Sequence, residues 1–143
     1  MTKTYSLRYD GKIMAKKNRH IVARIGGRVA VLPDQTARSH EADIVSQLRA
    51  QMMADTELRR EAIKTHEQRV LDAEGHAYTV DITITQADHV RRDLDNQATT
   101  LLDALVKAGA LPDDCRKFVK KLTVEDNGVD KAHAGATIAI TQT

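Results

Sequence analysis

The segment 77–85 constrains the fold of this chain more than any other. Its sequence is AYTVDITIT, and from Tyr78 onward apolar and polar side chains alternate without a break. Alternation with a period of two is typical of a β-strand that buries one face. We therefore predict a strand here, with one face toward the core formed by Tyr78, Val80, Ile82 and Ile84.

Further stretches have strand patterns: residues 4–9, two short runs on either side of Gly26-Gly27, and residues 118–125 and 136–142. The glycine pair between IVARI and RVAVL predicts a hairpin with a two-residue turn. The last two strands are expected to close the sheet. A polar loop containing Asn127-Gly128 would join them, since this connection is too long for a tight hairpin.

Helical spacing predicts the remaining elements. One stripe runs through residues 35–53 and consists of Ala37, Glu41, Ile44, Val45, Leu48 and Met52. Asp55 and Thr56 can cap a second helix that continues to about residue 66. Another helix follows the sequence DLDN, carries Leu94, Ala98, Leu101, Leu102 and Leu105, and ends at Gly109. The pattern predicts an α+β fold, a mixed or antiparallel sheet covered by helices, as a single domain over residues 1–143.

The charge of the chain is unevenly distributed. Residues 1–28 contain eight Lys or Arg and one acid, which gives +7, whereas residues 29–143 contain 14 basic and 19 acidic residues, which gives −5. This asymmetry favours a polyanion as partner of the N-terminal segment. The alternative is a lysine-rich edge strand. Aromatic residues make up only 3%, so nucleic acid would be bound through phosphates and shape rather than by base stacking.

Several classes of protein are excluded by composition. No run approaches the roughly 18 apolar residues of a membrane span, and the N-terminus lacks a signal-peptide core. The only cysteine is Cys115, which excludes an intrachain disulfide and a cysteine-rich zinc site. We expect a cytoplasmic protein of a bacterial or phage-infected cell.

Acidic residues are concentrated around the last predicted helix. Asp93 and Asp95 precede it and would point to the same side in extended backbone, while Asp113 and Asp114 follow it. Carboxylates that share one spot repel each other, and a hard divalent cation with oxygen ligands relieves that repulsion. Such an ion is the usual equipment for phosphodiester hydrolysis. The neighbouring Arg91 and Arg92 could hold a phosphate.

These acids also have structural interpretations. Asp95 can act as an N-cap, with Asp93 close to the positive end of the helix dipole. Asp113 and Asp114 follow a proline and are typical turn residues. From the residues alone, a metal site and a set of caps and turns both remain open.

The stretch from Arg91 to Asp114 resembles the RusA family of Holliday-junction resolvases, which are common in bacterial prophages. It reads RRDLDN, then DAL, KAG and a DD pair, with the spacing of the family and no gap. The basic segment and hairpin before it, and the strands after it, are similar to the family less specifically. The resemblance covers nearly the whole chain and is strong over about 24 residues.

The resemblance implies a homodimeric, Mg²⁺-dependent endodeoxyribonuclease that resolves branched DNA in recombination and repair, with Mn²⁺ as a possible substitute. Asp93, Asp95 and Asp114 match the catalytic acids of the family, and Asp113 joins them as a metal ligand. The DNA-binding residues would be Lys16, Lys17, Arg19, Arg24, Arg28, Arg91 and Arg92.

One position departs from the family pattern. Thr99 stands where the family carries a lysine that is important for activity, and Lys107 is two turns further along the helix, about 12 Å away. Arg92 or a lysine of the N-terminal segment would have to replace that charge. The alternative is a degenerate member of the family that binds branched DNA without cleaving it. A regulatory protein without a nucleic-acid role is a third hypothesis.

Overall fold

A computed structural model describes residues 2–14, 20–25, 28–33 and 35–143, with side chains for 2–14 and 38–143. The elements follow in the order β1 (Lys3–Asp10), β2 (His20–Ile25), β3 (Arg28–Pro33), α1 (Gln35–Ala54), α2 (Thr56–Ile63), α3 (His66–Asp72), β4 (Tyr78–Gln86), α4 (Leu94–Ala108), β5 (Val119–Val129) and β6 (Gly135–Gln142). A short 3-10 helix, Lys131–His133, lies between β5 and β6.

The described strands form two sheets. The larger has the order β1-β6-β4-β5, in which β5 runs parallel to β4 while β6 runs antiparallel to both β1 and β4. Strands β2 and β3 form a separate antiparallel pair. The mixed sheet and the helices confirm the predicted α+β class.

The core lies between the larger sheet and the helices. Val80, Ile82 and Ile84 of β4 are buried, as the alternating pattern predicts, in the same cluster as Ile44 of α1 and Leu101 of α4. One face of the sheet therefore packs on the helices, while Asp81 on the other face is exposed. This arrangement satisfies the period of two in β4 and the helical stripes of α1 and α4 together.

Helix α4 connects two parallel strands, and this fixes where its ends lie. The chain enters α4 beyond the end of β4, and a hydrogen-bonded pair of side-chain amides, Gln86 and Gln97, joins the two elements there. It leaves α4 near the beginning of β5. The first turn of α4 and the residues that follow its last turn thus lie at opposite ends of the sheet.

Two boundaries differ from the sequence prediction. The second helix ends at Ile63, because Lys64 is extended, and Thr65 then caps α3, a helix that we did not predict. Strand β5 continues through Asn127 and Gly128, which we placed in a loop. A bulge opposite Thr85 of β4 accommodates them, and the Asn127 amide donates a hydrogen bond to the Thr85 hydroxyl.

The predicted hairpin is confirmed by the pairing of Ile25 with Arg28. Its turn residues, Gly26 and Gly27, lie outside the described residues. Within the described part of the chain, no helix is long and apolar enough to cross a membrane.

Candidate active site

The first pair of acids lies at the start of α4. Asp93 is the N-cap, with extended backbone at φ −88° and ψ 128°, and its side chain makes no capping hydrogen bond. Asp95 is in the first helical turn, so the pair does not lie in extended backbone and the N-cap is Asp93, not Asp95. Both residues are exposed. Among the described residues, no hydrogen bond or ion pair engages either carboxylate, which leaves both open to a ligand.

Buried amides hold this end of α4 in place. The Gln97 side chain is fully buried, exchanges hydrogen bonds with Gln86, and donates to the Ile13 carbonyl at 2.9 Å. One turn further on, the Thr100 hydroxyl donates to the Met14 carbonyl at 3.0 Å. The chain is therefore attached to α4 just before the basic segment 15–19. The sequence analysis missed Gln97, although an amide in an apolar helical stripe is a signal for a buried polar contact.

The two arginines before Asp93 have different surroundings. Arg92 donates to Asp88 at 2.6 Å, its side chain is 9% exposed, and Lys12 also contacts Asp88 at 3.3 Å. The Arg92 guanidinium, more than any other group, holds the pKa of the Asp88 carboxyl well below its usual range. Arg91 is exposed. Arg92 is thus engaged in an ion pair, whereas the exposed Arg91 side chain is accessible to solvent.

The second pair of acids lies beyond the other end of α4. Gly109 ends the helix in the left-handed conformation, at φ 93°, as predicted. The chain then reverses, and Asp113 and Asp114 return against the last two turns of the helix. Together they line a shallow cleft of about 300 Å³ whose walls are Asp103, Val106, Lys107, Asp113 and Asp114.

Like charges converge in this cleft. The Asp114 amide donates to the Asp113 carboxylate at 2.7 Å, a turn contact of the type that the structural interpretation predicts. Partial desolvation raises the pKa of the Asp114 carboxyl, and the neighbouring Asp113 and Asp103 carboxylates raise it further. A cation placed here would relieve that repulsion. Asp103 is a residue of this cluster that the sequence analysis did not select.

The two pairs do not meet within one chain. Asp95 and Asp103 are separated by eight residues of α4, or about 12 Å of helix rise. No group of three or more Asp, Glu, His or Cys side chains in the described ranges is arranged to hold a metal ion. One protomer therefore does not supply a complete metal site from these four acids, and each end of α4 provides two of them.

Thr99 stands where the family carries a lysine, and the nearby Lys107 and Arg92 are both engaged in ion pairs. Thr99 is exposed, one turn after Asp95, and its hydroxyl donates to the Asp95 carbonyl at 2.9 Å. Lys107 does not reach back, because its ammonium pairs with the buried Glu41 carboxylate of α1. Arg92, the other predicted substitute, is held by Asp88.

Five of the seven predicted DNA-binding residues have side chains outside the described part of the structure. Lys16, Lys17 and Arg19 lie outside the described residues, and Arg24 and Arg28 belong to β2 and β3, where only the backbone is described. Their role remains a prediction.

Comparison with known proteins identifies the family. A family model for the endodeoxyribonuclease RusA matches residues 10–141, nearly the whole chain, and confirms the resemblance found in the sequence. No curated protein matches the chain. The RusA family consists of endodeoxyribonucleases that resolve Holliday junctions and generally depend on divalent metal ions. The matched region includes α4 and both pairs of acids, and the chain belongs to the RusA endodeoxyribonuclease family.

Proposed function

We propose that this chain is a Mg²⁺-dependent, structure-selective endodeoxyribonuclease that hydrolyses phosphodiesters in four-way junctions during recombination and repair. The observation that carries the proposal is the acid pair at each end of α4, within a region that matches a nuclease family. The metal ligands would be Asp93, Asp95, Asp113 and Asp114, and the catalytic acids Asp93, Asp95 and Asp114. We expect it to act in the cytoplasm of a bacterial or phage-infected cell.

A site that uses all four acids needs two copies of the chain. Within one protomer, about 12 Å of helix rise separates Asp95 from Asp103, which lies beside the second pair. A homodimer can bring the first pair of one protomer to the second pair of its partner. Two such sites related by a twofold axis suit the symmetry of a four-way junction, which presents two equivalent strands. The geometry of α4 thus supports the dimer that the family resemblance implies.

The residues of this chain have separate tasks in the reaction. No described residue engages the Asp93 and Asp95 carboxylates at the exposed start of the helix. Asp114 offers a carboxylate whose ionised form is disfavoured by partial burial and by its acidic neighbours. A bound Mg²⁺ would orient the attacking water, lower its pKa and neutralise the leaving oxygen. Arg91, exposed next to Asp93, would hold the DNA backbone.

The basic N-terminal segment would supply the rest of the DNA surface. Lys16, Lys17 and Arg19 follow Met14, whose carbonyl is bound to α4 by Thr100. Because the chain is attached to α4 just before these residues, we expect the DNA to cross the first half of α4, beside Asp93 and Asp95. Each phosphate contact should make binding weaker with added salt, and a mobility shift that disappears steeply with salt would argue against a protein without a nucleic-acid role.

Cleavage of a synthetic four-way junction tests the proposal. The wild-type protein should cut with Mg²⁺ or Mn²⁺ and stop in EDTA, while linear duplex of the same sequence stays intact. Thr99→Lys places the family's lysine at an exposed helical position, and Ser46→Lys adds the same charge at an exposed position of α1. Absence of cleavage by wild type and Thr99→Lys alike would refute the nuclease assignment.

Mixing two inactive variants tests whether the site is shared. Asp93→Asn and Asp114→Asn should each be inactive alone. In a mixed dimer, one shared site has both substitutions, and the other combines an intact Asp93 with an intact Asp114. The mixture should therefore recover nicking of one strand. If each site lay within one protomer, the mixture would remain inactive.

A protein that binds junctions without cutting them is the second candidate. It is favoured by Thr99, because the nearby described cations Arg92 and Lys107 are paired with Asp88 and Glu41. In that case wild-type protein would shift the junction but not cut it, and Thr99→Lys would restore cleavage. Sustained cleavage by purified wild type would eliminate this candidate.

A further inference from the structure

We propose that two copies of this chain join edge to edge through β5, which pairs with its own copy in antiparallel orientation, with Thr123 facing Thr123 of the partner. This inference rests on the dimer of the proposed function and adds the surface that forms it. It comes from the sequence and environment of one strand, and its test does not depend on cleavage.

The outer edge of β5 is available for pairing. In the described part of the chain β5 pairs only with β4, so its other side presents unpaired backbone groups. Eight of its eleven residues are exposed, and one of these is Leu122, at 42%. The segment 121–126 keeps a regular register with β4 between two bulges. An exposed, regular edge of this length is a template for another strand.

The charges of this edge complement themselves. Residues 120–126 read KKLTVED, with two bases before the central threonine and two acids after it. Antiparallel pairing about Thr123 places Lys120 opposite Asp126 and Lys121 opposite Glu125, and the twofold axis repeats both pairs. Among the described residues, Lys121, Glu125 and Asp126 form no ion pair within their own chain. Lysines alone would protect an edge, but bases and acids at mirrored spacing attract a copy.

The sheet faces fix the register. Leu122 and Val124 are in register with the buried Val80 and Ile82, so they lie on the face toward the helices, where they would face each other across the interface. A twofold axis that keeps both faces aligned requires one residue to face its own copy. Centring the pair on Leu122 puts Lys121 opposite Thr123, and centring it on Val124 puts Lys121 opposite Asn127. Only the register centred on Thr123 matches both charged pairs.

The other edge of the sheet lacks this property. In β1 the bases are Lys3 and Arg8, and Arg8 already pairs with Asp10 of its own strand at 2.9 Å. Lys3 and Asp10 are seven positions apart. A register in which one residue faces its own copy pairs only positions that differ by an even number, so Lys3 cannot face Asp10 across a twofold axis. This contrast assigns the interface to β5.

Pairing of β5 also orients α4. A twofold axis perpendicular to the sheet keeps both copies of α4 on one face and makes them run in opposite directions. The start of one α4, with Asp93 and Asp95, then lies toward the end of the other, with Asp113 and Asp114. An edge chosen for its charges therefore yields the shared arrangement that the two pairs of acids require.

A charge exchange tests the interface without DNA. One variant carries Lys120→Glu and Lys121→Glu, and the other carries Glu125→Lys and Asp126→Lys. Each alone faces like charges, so its dimer dissociation constant should rise by at least about 100-fold, measured by sedimentation equilibrium. An equimolar mixture restores opposite charges at every position and should dimerise as the wild type does. Persistence of either variant as a dimer alone, or failure of the mixture to associate, would overturn the proposal.

A disulfide tests the register. In a Cys115→Ser background, Thr123→Cys places two thiols directly across the axis, within the Cα separation that a disulfide allows. Mild oxidation should link the chains covalently, whereas Thr4→Cys on the exposed β1 edge should not link them. Linkage at residue 4 and none at residue 123 would refute the pairing.

The two proposals can fail separately. If the charge-exchanged mixture dimerises and no form cuts a junction, the interface stands and the nuclease assignment fails. If wild type cuts while both charge variants remain dimers, the nuclease assignment stands and the β5 interface is wrong.

Discussion

The two ends of α4 are built in opposite ways. At its start, the N-cap Asp93 makes no capping hydrogen bond and Asp95 is exposed. At its end, Gly109 reverses the chain, Arg49 donates to the Ala108 carbonyl at 3.3 Å, and Lys107 pairs with the buried Glu41. Groups at the end of the helix are thus paired with other residues of the chain, whereas no described side chain caps its start.

The end of α4 therefore contributes mainly to stability, and its start carries carboxylates that are available to a ligand. An N-cap carboxylate normally contributes about 0.5–2 kcal/mol through its hydrogen bond to the helix, and Asp93 forgoes that bond. Its oxygens remain available for a ligand. The end of α4 instead supports Asp113 and Asp114 on a turn, where partial burial and the neighbouring carboxylates disfavour ionisation of Asp114. We expect substitutions at the start to affect cleavage and those at the closing glycine to affect folding.

Asp93→Asn should show the largest effect and leave the fold intact. Loss of a metal ligand should reduce junction cleavage by more than about 100-fold, because even the partners that orient a ligand contribute roughly 10- to 100-fold. Asn is as good an N-cap as Asp, so the melting temperature should not change. Junction affinity in EDTA should be equal or higher, since one negative charge near phosphate is removed. Normal cleavage would remove Asp93 from the site.

Gly109→Ala, in contrast to Asp93→Asn, should lower the stability of the fold. The residue has φ +93°, and a Cβ there would lie 3.2 Å from the Ala62 Cα and 3.0 Å from Arg69 Nη1. We expect a loss of about 1–3 kcal/mol in the free energy of unfolding, measured by urea denaturation. Gly75→Ala is the matched control, because Gly75 has φ +83° and no atom near its Cβ position. Equal losses in both variants would show that the contacts at Gly109 do not matter.

Thr99→Lys should increase the rate of junction cleavage by adding a cation near the start of α4. The added ammonium lies one turn after Asp95 at an exposed position, and a positioned donor at developing charge contributes roughly 10²–10³-fold in enzymes. We expect cleavage by Thr99→Lys to exceed that of the wild type by about 10-fold or more in single-turnover kinetics. Ser46→Lys should leave the rate unchanged. Equal rates for all three proteins would show that another cation already fills this role.

The smallest expected effect is a pH dependence of the free energy of unfolding, which comes from Asp114 beyond the end of α4. The pKa of Asp114 is raised in the folded protein, so the folded state binds the proton more tightly than the unfolded state. Stability should therefore fall as the pH rises through the range between the unfolded and folded pKa values. Asp114→Asn should be stabilising at pH 7 relative to wild type, and less so at pH 3. Added Mg²⁺ should reduce this difference, and an identical pH profile for both proteins would contradict the raised pKa of Asp114.

Short-range patterns predicted most of the fold. The alternation in β4, the apolar stripe of α4 and the stop at Gly109 each depend on local geometry, so the sequence alone could identify them. The end of the second helix at Ile63 could not be found, because the chain resumes a helix at His66 without a Pro or Gly between them. Nor could the length of β5, since Asn127 and Gly128 are typical turn residues that a bulge accommodates here.

The candidate site was predicted as a set of residues, but not as a geometry. The spacing of Asp93, Asp95, Asp113 and Asp114 before and after a helix is readable in the sequence. The placement of the two pairs at opposite ends of the sheet follows from the parallel connection of β4 to β5. Gln97 and Asp103 were missed because their importance comes from what they contact. The commitment of Arg92 to Asp88 is likewise visible only in three dimensions.

The position of β6 has a consequence for biosynthesis. This strand follows all the others in the sequence, yet it lies between β1 and β4 and pairs with eight residues of each. While a ribosome is still making residues 135–142, β1 has no neighbour in the larger sheet, and the edges of β1 and β4 that pair with β6 stay unpaired. Completion of this sheet must therefore wait until the last strand emerges, and a truncation that removes β6 would separate the first strand of the chain from the rest of the sheet.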